Sequence, residues 1–229
     1  MEFPLSTIEI GEKYQFIIPD LDFQVELPFV GLPTTDGLLK IASLNLVGMI
    51  EWNRILGLAL ARKIKANVPD LHGVVFLTAA EKALQLSQVV CRELDLPMMA
   101  VAYNRRKPHM EIENGQKRLY IQVGGASVTS GDKYLVIYER DFHFLSSATK
   151  GVIIVDDVIS TGGTIAALAT ILDEITEKKS LSKETLQILG IYCVAREGKM
   201  KPLYKGLSNK IHWLGTLPDP QFIPLAKET

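Results

Sequence analysis

Cysteine is scarce. Cys91 and Cys193 are the only two in 229 residues. They are too few for a disulfide scaffold and sit in apolar patterns that suit buried thiols, Cys91 in a core helix. Long hydrophobic runs are missing too. The longest helical apolar segment, Ser43–Ala66, is interrupted by Glu51, Arg54, Arg62 and Lys63, so it does not span a bilayer. Neither sign of charge is in excess. The 25 Lys and Arg against 26 Asp and Glu leave a net charge of −1, which makes no whole-protein electrostatic case for nucleic acid or an anionic membrane. Met1–Asp20 has no basic start and carries early acids, so no signal peptide is expected. The histidines, at 72, 109, 143 and 212, are scattered without metal-ligand spacing. No Ser/His/Asp or Cys/His set argues for a nucleophilic side chain, and there is no internal repeat or low-complexity tract. These absences leave a soluble, cytoplasmic globular protein, and 47% hydrophobic with 22% charged residues is ordinary for that class. The length suits one core with an appended subdomain.

What is present is concentrated in Gly151–Thr164, GVIIVDDVISTGGT. Val152–Val155 is an unbroken β-branched run, which predicts a strand buried on both faces of a parallel sheet. Asp156 and Asp157 stand at its carboxyl end. Ser160, Thr161, Gly162, Gly163 and Thr164 then lead into a helix whose apolar residues, Ile165, Leu168, Ala169, Leu172 and Ile175, form one stripe. Ligands of open α/β sheets sit beyond the carboxyl ends of the strands. Glycines let backbone N–H groups approach an anion, and a helix N-terminus adds its positive dipole end. A phosphate fits there. Two carboxylates repel a bare phosphate, but a sugar phosphate offers hydroxyls to the acids and its phosphate to the loop, and a metal ion arriving with the ligand would serve as well. A Walker A loop requires a lysine this loop lacks, and G-x-G-x-x-G is absent.

The rest of the chain can be read around that stretch. Residues 1–40 contain Pro4, Pro19, Pro28 and Pro33 with short β-like pieces at Tyr14–Ile18 and Gln24–Leu27, and are expected to form an irregular arm or small lobe. Ser43–Ala66, with Leu46, Met49, Ile50, Leu60 and Ile64 on helical steps, predicts a first long helix, buried heavily or used in a subunit contact. Gly73–Leu77, a turn at Thr78–Lys82, a helix with Leu86, Val89, Val90 and Leu94 inward, and Pro97–Ala102 make a βαβ unit, which implies a parallel sheet. Three cations, Arg105, Arg106 and Lys107, follow that last strand; a solvated basic loop and an anion contact both suit them. Leu119–Val123 and Lys133–Glu139 predict two antiparallel strands joined through a connection at 124–131 that is too long for a tight hairpin. Asp132, Glu139 and Asp141 beside it read as solvent-facing charge and His143 as a local structural residue. Glu184–Ala195 is a further strand ending in Arg196-Glu197-Gly198, Lys210–Leu214 with Trp213 an edge strand, and Pro218–Pro224 coil.

Four apolar residues, two acids and a small-residue loop ending in Thr resemble the phosphoribosyl-pyrophosphate (PRPP) motif of the type I phosphoribosyltransferases. The resemblance covers residues 70–195 and is strongest to the adenine/xanthine and purine-repressor branch. It implies an α/β parallel-sheet fold with a flexible β-hairpin lid at 124–131 and a small N-terminal/C-terminal hood. It divides the chain into an arm and hood at 1–42 and a core with C-terminal strand and tail at 43–229. By the same resemblance, Asp156 and Asp157 face the ribose hydroxyls and Ser160, Thr161, Gly162, Gly163 and Thr164 hold the 5′-phosphate. Lys82 would lie in the pyrophosphate loop, where Ala83 replaces the usual Gly, and would complete the catalytic set with the two aspartates. At least one of Arg105, Arg106 and Lys107 would reach the pyrophosphate, the family's earlier Arg-Lys being Ala102-Tyr103 here. Mg²⁺ is the implied cofactor, held mainly by PRPP near Asp156 and Asp157. Phe16, Phe29 and Trp213 are available to flank a base. The implied activity is an Mg-dependent purine phosphoribosyltransferase of purine salvage and nucleotide metabolism. It would move the 5-phosphoribosyl group from PRPP to a purine base, adenine favoured, and release pyrophosphate. The implied state is a homodimer without nucleic-acid or membrane partners. The alternative is a PRPP-binding regulatory protein of the purine repressor type without catalysis. Against its DNA-binding part, residues 1–70 show no basic recognition helix and many prolines.

Overall fold

The β-branched run at 152–155 lies in the middle strand of a parallel sheet. In the structure, a computed structural model, residues 8–113, 116–117, 120–125, 133–182, 184–198 and 204–224 are described. The chain begins with β1 (Ile8–Ile18), β2 (Phe23–Pro33) and β3 (Gly37–Ala42), followed by α1 (Ile50–Asn67), β4 (Val74–Ala79), α2 (Leu84–Glu93) and β5 (Ala100–Ala102). Two short strands, β6 (Ile112–Glu113) and β7 (Gln116–Lys117), pair with each other, as do the antiparallel β8 (Tyr120–Gly125) and β9 (Lys133–Tyr138). Then come α3 (Glu139–Ser146), β10 (Gly151–Ile159), α4 (Gly163–Lys178), β11 (Ile188–Glu197), β12 (Ile211–Leu217) and β13 (Gln221–Pro224). The order β12-β11-β10-β4-β5 makes a five-stranded sheet with every pairing parallel, the α/β architecture predicted from the sequence.

Alternate residues of β10 enter two different cores. Val152 and Ile154 pack with residues of α3, α4 and the β8–β9 pair. Ile153 and Val155 pack with residues of α1, α2 and the N-terminal strands. A strand covered on both faces needs apolar residues at every position, which is why the run does not alternate. All five residues of the predicted α4 stripe are buried. The N-terminal sheet docks onto the parallel one where Phe16 of β1 meets Gly215 of β12; a Cβ on Gly215 would stand 2.6 Å from that ring.

The N-terminal third is more regular than its prolines suggested. β1, β2 and β3 form an antiparallel sheet, and β13 joins its far edge beside β3, so Gln221–Pro224 is strand where coil was expected. The prolines sit where a missing N–H is tolerated. Pro19 starts a 3-10 turn, Pro33 ends β2, and Pro28 lies opposite Lys13, where the register of β1 shifts.

The first long helix begins at Ile50, not Ser43. Of the predicted stripe, Leu46 is buried ahead of the helix, whereas Met49 and Ile50 are exposed. Gly48, at φ +78°, turns the chain, and the Asn53 side-chain amide donates to the Leu46 and Met49 carbonyls at 2.6 and 2.9 Å. Only Ala100–Ala102 of the predicted 97–102 strand is paired in the sheet. Glu139 starts α3 instead of ending a strand, and Asp141 is 1% exposed. Its carboxylate accepts from the Val101 N–H at 3.1 Å and from Arg140 at 3.0 and 3.2 Å, so the solvent-facing reading of Asp141 is corrected. His143 is exposed on α3, 3.5 Å from Glu139, and Cys91 and Cys193 are both buried. From residue 126 onward the predicted lid at 124–131 lies outside the described residues, as does Asp132. Among the described residues, no helix is long and apolar enough to cross a membrane.

Candidate functional site

The carboxyl ends of β4, β10 and β11 open onto one cavity of about 300 Å³. Asp156 and Asp157 lie towards the carboxyl end of β10 and are only 7% and 8% exposed. The backbone N–H of Asp157 donates to Asp156 Oδ1 at 3.0 Å, which turns that carboxylate back along its own chain. Burial pushes the Asp156 carboxyl well above the usual carboxylate range, and the adjacent Asp157 charge adds to this; Lys82 acts in the opposite direction. A ligand bringing hydroxyl donors or positive charge would relieve that cost.

The five residues 160–164 line the same cavity. Gly162 sits at φ +78°, ψ 11°, a left-handed conformation that favours glycine, and α4 starts at the next residue. Among the described residues no side chain caps the start of this sixteen-residue helix. Its first N–H groups are therefore orphan donors beside the cavity, as an anion site requires.

Across the cavity, β4 runs into the turn at Ala80–Ala83, whose Ala80 N–H donates to the Ala102 carbonyl at 2.8 Å. The Ala80–Glu81 peptide is cis. Lys82 is exposed and lines the cavity. Ala83 has φ −85°, ψ −4°, an ordinary right-handed geometry that a Cβ does not disturb, so the glycine common at that place in relatives is not required here. Ile41, Ala42, Ser43 and Leu44 at the end of β3, with Leu217 of β12, form the remaining wall.

Lys82, Asp156, Asp157 and residues 160–164 thus line one cavity. Arg105, Arg106 and Lys107 are not on the cavity lining; Asn104 takes that place. Arg106 donates to both carboxylate oxygens of Glu111, at 2.8 and 2.5 Å, and lies 4.9 Å above the Tyr120 ring. The Lys107 N–H donates to the Tyr138 hydroxyl at 2.5 Å, whereas Arg105 is exposed. None of the three aromatics considered for the base lines the cavity. Phe16 is fully buried, Phe29 lies edge-on to Tyr14 beneath Lys40, and Trp213 stacks with Arg196 at 4.6 Å.

Asn104 and Glu197 are among the lining residues that escaped the sequence reading. Asn104 Oδ1 is buried without a hydrogen-bond partner among the described residues. Glu197, at the end of β11, is 9% exposed; burial raises its carboxyl, while the Ser160 hydroxyl and Lys82 lower it. A carboxylate closing a predicted strand was the only signal for Glu197, and it sat at the end the fold rule points to. Among the described residues no group of three or more His, Cys, Asp or Glu side chains is placed to hold a metal ion. Two carboxylates and an orphan amide oxygen do fit a cation that arrives on a phosphate-bearing ligand, because Mg²⁺ is commonly held by one or two carboxylates plus substrate phosphates.

A family model described as "phosphoribosyl transferase domain" matches residues 51–200. Among solved structures, the chain is similar to adenine phosphoribosyl transferase from Trypanosoma brucei, in complex with AMP, pyrophosphate and ribose-5-phosphate. That pair is 16% identical, with 90% of this chain and 76% of that chain covered and a TM-score of 0.54. The adenine phosphoribosyltransferase of Saccharomyces cerevisiae matches at 14% identity over 88% of this chain and 93% of that one, with a TM-score of 0.49. No curated protein matches the sequence. At such identities the likeness to the first structure is one of fold.

Proposed function

The chain belongs to the phosphoribosyl transferase domain family, and from that premise we propose that it transfers the 5-phosphoribosyl group of PRPP to a purine base, adenine favoured, with release of pyrophosphate. One observation carries this reading: two buried carboxylates and the uncapped start of α4 share a cavity wall, with Lys82 on the turn opposite. Asp156 and Asp157 accept hydrogen bonds from the ribose hydroxyls. The N–H groups at the start of α4 take the 5′-phosphate, where dipole and orphan donors coincide. Lys82 faces the pyrophosphate, and the exposed Arg105 is the second cation assigned to it. The base lies beneath residues 41–44 and Leu217, which makes the N-terminal sheet, with β13 at its edge, the hood and the rest of 43–229 the core.

These groups act by positioning and charge, without a covalent intermediate. Lys82 stabilises the negative charge gathering on the departing pyrophosphate, and the aspartates hold C1′ in line while the sugar passes through an oxocarbenium-like state. Asp156 and Asp157 stand near the Mg²⁺ carried by PRPP, which supplies further charge neutralisation at the leaving group when bound. A homodimer is supported by the exposed Val47, Met49 and Ile50 beside α1, and light scattering of the purified protein checks it.

The test is a single-turnover assay with PRPP, Mg²⁺ and a panel of nucleobases. Nucleotide and pyrophosphate formed with one purine base support the transferase. Tight PRPP binding with no nucleotide from any purine or pyrimidine base would replace it by the regulatory reading.

A further inference from the structure

Ribosylation of a ring N–H leaves a proton to be placed. The N–H bond breaks and its electron pair forms the N–C1′ bond. The C1′–O bond breaks with its pair going to pyrophosphate, and the proton needs an acceptor inside a closed site. Among the described residues four carboxylates line the cavity: Glu81, Asp156, Asp157 and Glu197. Asp156 and Asp157 are taken by the ribose. Glu81 is exposed on the pyrophosphate turn beside Lys82. Glu197 remains, and its surroundings place it against the base. In the sheet register Ile159 pairs with Arg196 and Glu197 pairs with Leu217. Glu197 is therefore flanked by Ser160, the residue after Ile159, and by Leu217, which belongs to the wall assigned to the base. The Ser160 side chain, opposite Glu197 in that register, favours the ionised form of its carboxylate.

Resting on the transferase reading, we propose that Glu197 is the catalytic residue that takes the proton from the base nitrogen as the C1′–N bond forms, and that Ser160 is the positioning residue that aims its carboxylate. The outcome is nucleotide, pyrophosphate and a protonated Glu197, which returns its proton to solvent after product release. The charged and titratable groups around Glu197 are few. Lys82 faces it from the turn after β4, and Asp156 and Asp157 share its cavity from β10. Asp219 lies beyond Gly198, where a Cβ would stand 2.4 Å from Asp219 Oδ1. Arg196 is turned onto the Trp213 ring.

The experiment uses the full chain with PRPP, Mg²⁺ and the base that the panel identifies, in single turnovers across a pH series. Glu197→Gln keeps the volume and an oxygen for Ser160, so PRPP affinity by calorimetry should hold within about threefold. Nucleotide formation should slow by about a hundredfold or more. The wild-type rate should rise with pH as Glu197 ionises, and Glu197→Gln should lose that acidic limb. Ser160→Ala should keep the limb but move it to higher pH, because the Ser160 hydroxyl favours the ionised form. A Glu197→Gln protein with wild-type rate and an unchanged limb would overturn the proposal and leave the transferase standing. Loss of rate in proportion to loss of PRPP binding would also overturn it, making Glu197 a prop of the fold. No nucleotide from the wild type would overturn both readings.

Discussion

The Thr78 hydroxyl donates to the Val155 carbonyl at 2.8 Å while accepting from the Ser87 hydroxyl at 3.0 Å. Thr78 and Val155 are also register partners in the parallel sheet. Both hydroxyls are 1% exposed as residues. A single side chain therefore ties the end of β4, the middle of β10 and the first turn of α2 at the point where β4 and β10 part. It sets the distance between the turn carrying Lys82 and the strand end carrying Asp156.

Thr78→Val should thus cost more than a surface change. It keeps the shape but leaves the Ser87 hydroxyl and the Val155 carbonyl short of a partner, a loss of about 1–3 kcal/mol. Urea denaturation should show the shift in midpoint, with Thr78→Ser staying near wild type. PRPP affinity should weaken in the Val variant and recover in the Ser variant; equal stability of all three would remove the tie.

Asp156 makes a second prediction through its pH dependence. Burial raises its folded-state carboxyl above the unfolded value, so the folded chain holds the extra proton over the interval between them. Stability then falls as pH rises from the unfolded carboxylate range through the raised folded value. Asp156→Asn removes that penalty: the ligand-free variant should melt higher than wild type at neutral pH, with the gain shrinking as pH falls. The Asp156→Asn/Asp157→Asn pair should lose most PRPP binding in calorimetry while remaining folded. Unchanged affinity would detach the acid pair from the ribose.

How much of this was legible depends on how local each signal was. β10 and α4 could be read at once, because burial on both faces demands the Val152–Val155 run and one covered face demands the Ile165–Ile175 spacing. The Thr78 knot, the Asp141 contact with Val101 and the Glu197 wall involve partners 77, 40 and 37 residues apart in sequence. No window of a dozen residues contains them. Leu46, Met49 and Ile50 misled for the opposite reason: their spacing fits a helical stripe, yet Leu46 is buried ahead of α1 while Met49 and Ile50 are exposed, and Gly48 at φ +78° turns the chain between them. The N-terminal strands were obscured because Pro19, Pro28 and Pro33 break the pattern while sitting at places that tolerate them.

Gly215 supplies a third prediction. With a Cβ 2.6 Å from the Phe16 ring carbons, Gly215→Ala must push Phe16 and β1 away from β12, an overpacking cost of about 1–3 kcal/mol. The displaced sheet carries residues 41–44 over the cavity. KM for the base should therefore rise more than KM for PRPP. A fall in Tm without that split would confine Gly215 to docking the two sheets.

The last prediction separates the cations. Lys82 lies on the cavity lining, and its charge acts on Asp156 and on Glu197. Arg106 is committed to Glu111 through two hydrogen bonds, and the half-buried Lys107 is held at its backbone by Tyr138. A charge-assisted contact to pyrophosphate in a closed site is worth one to two orders of magnitude, so Lys82→Ala should weaken pyrophosphate binding about ten- to a hundredfold. Arg105→Ala should produce the next largest loss, about tenfold if its free guanidinium reaches the same anion. Arg106→Ala should instead act on stability, because it strands Glu111 from its bidentate partner and uncovers the Tyr120 ring. Calorimetry with pyrophosphate, beside a denaturant midpoint for each variant, resolves the three roles. A large affinity loss at Arg106 with little at Lys82 would give the turn at 80–83 a different task and move the pyrophosphate toward the end of β5.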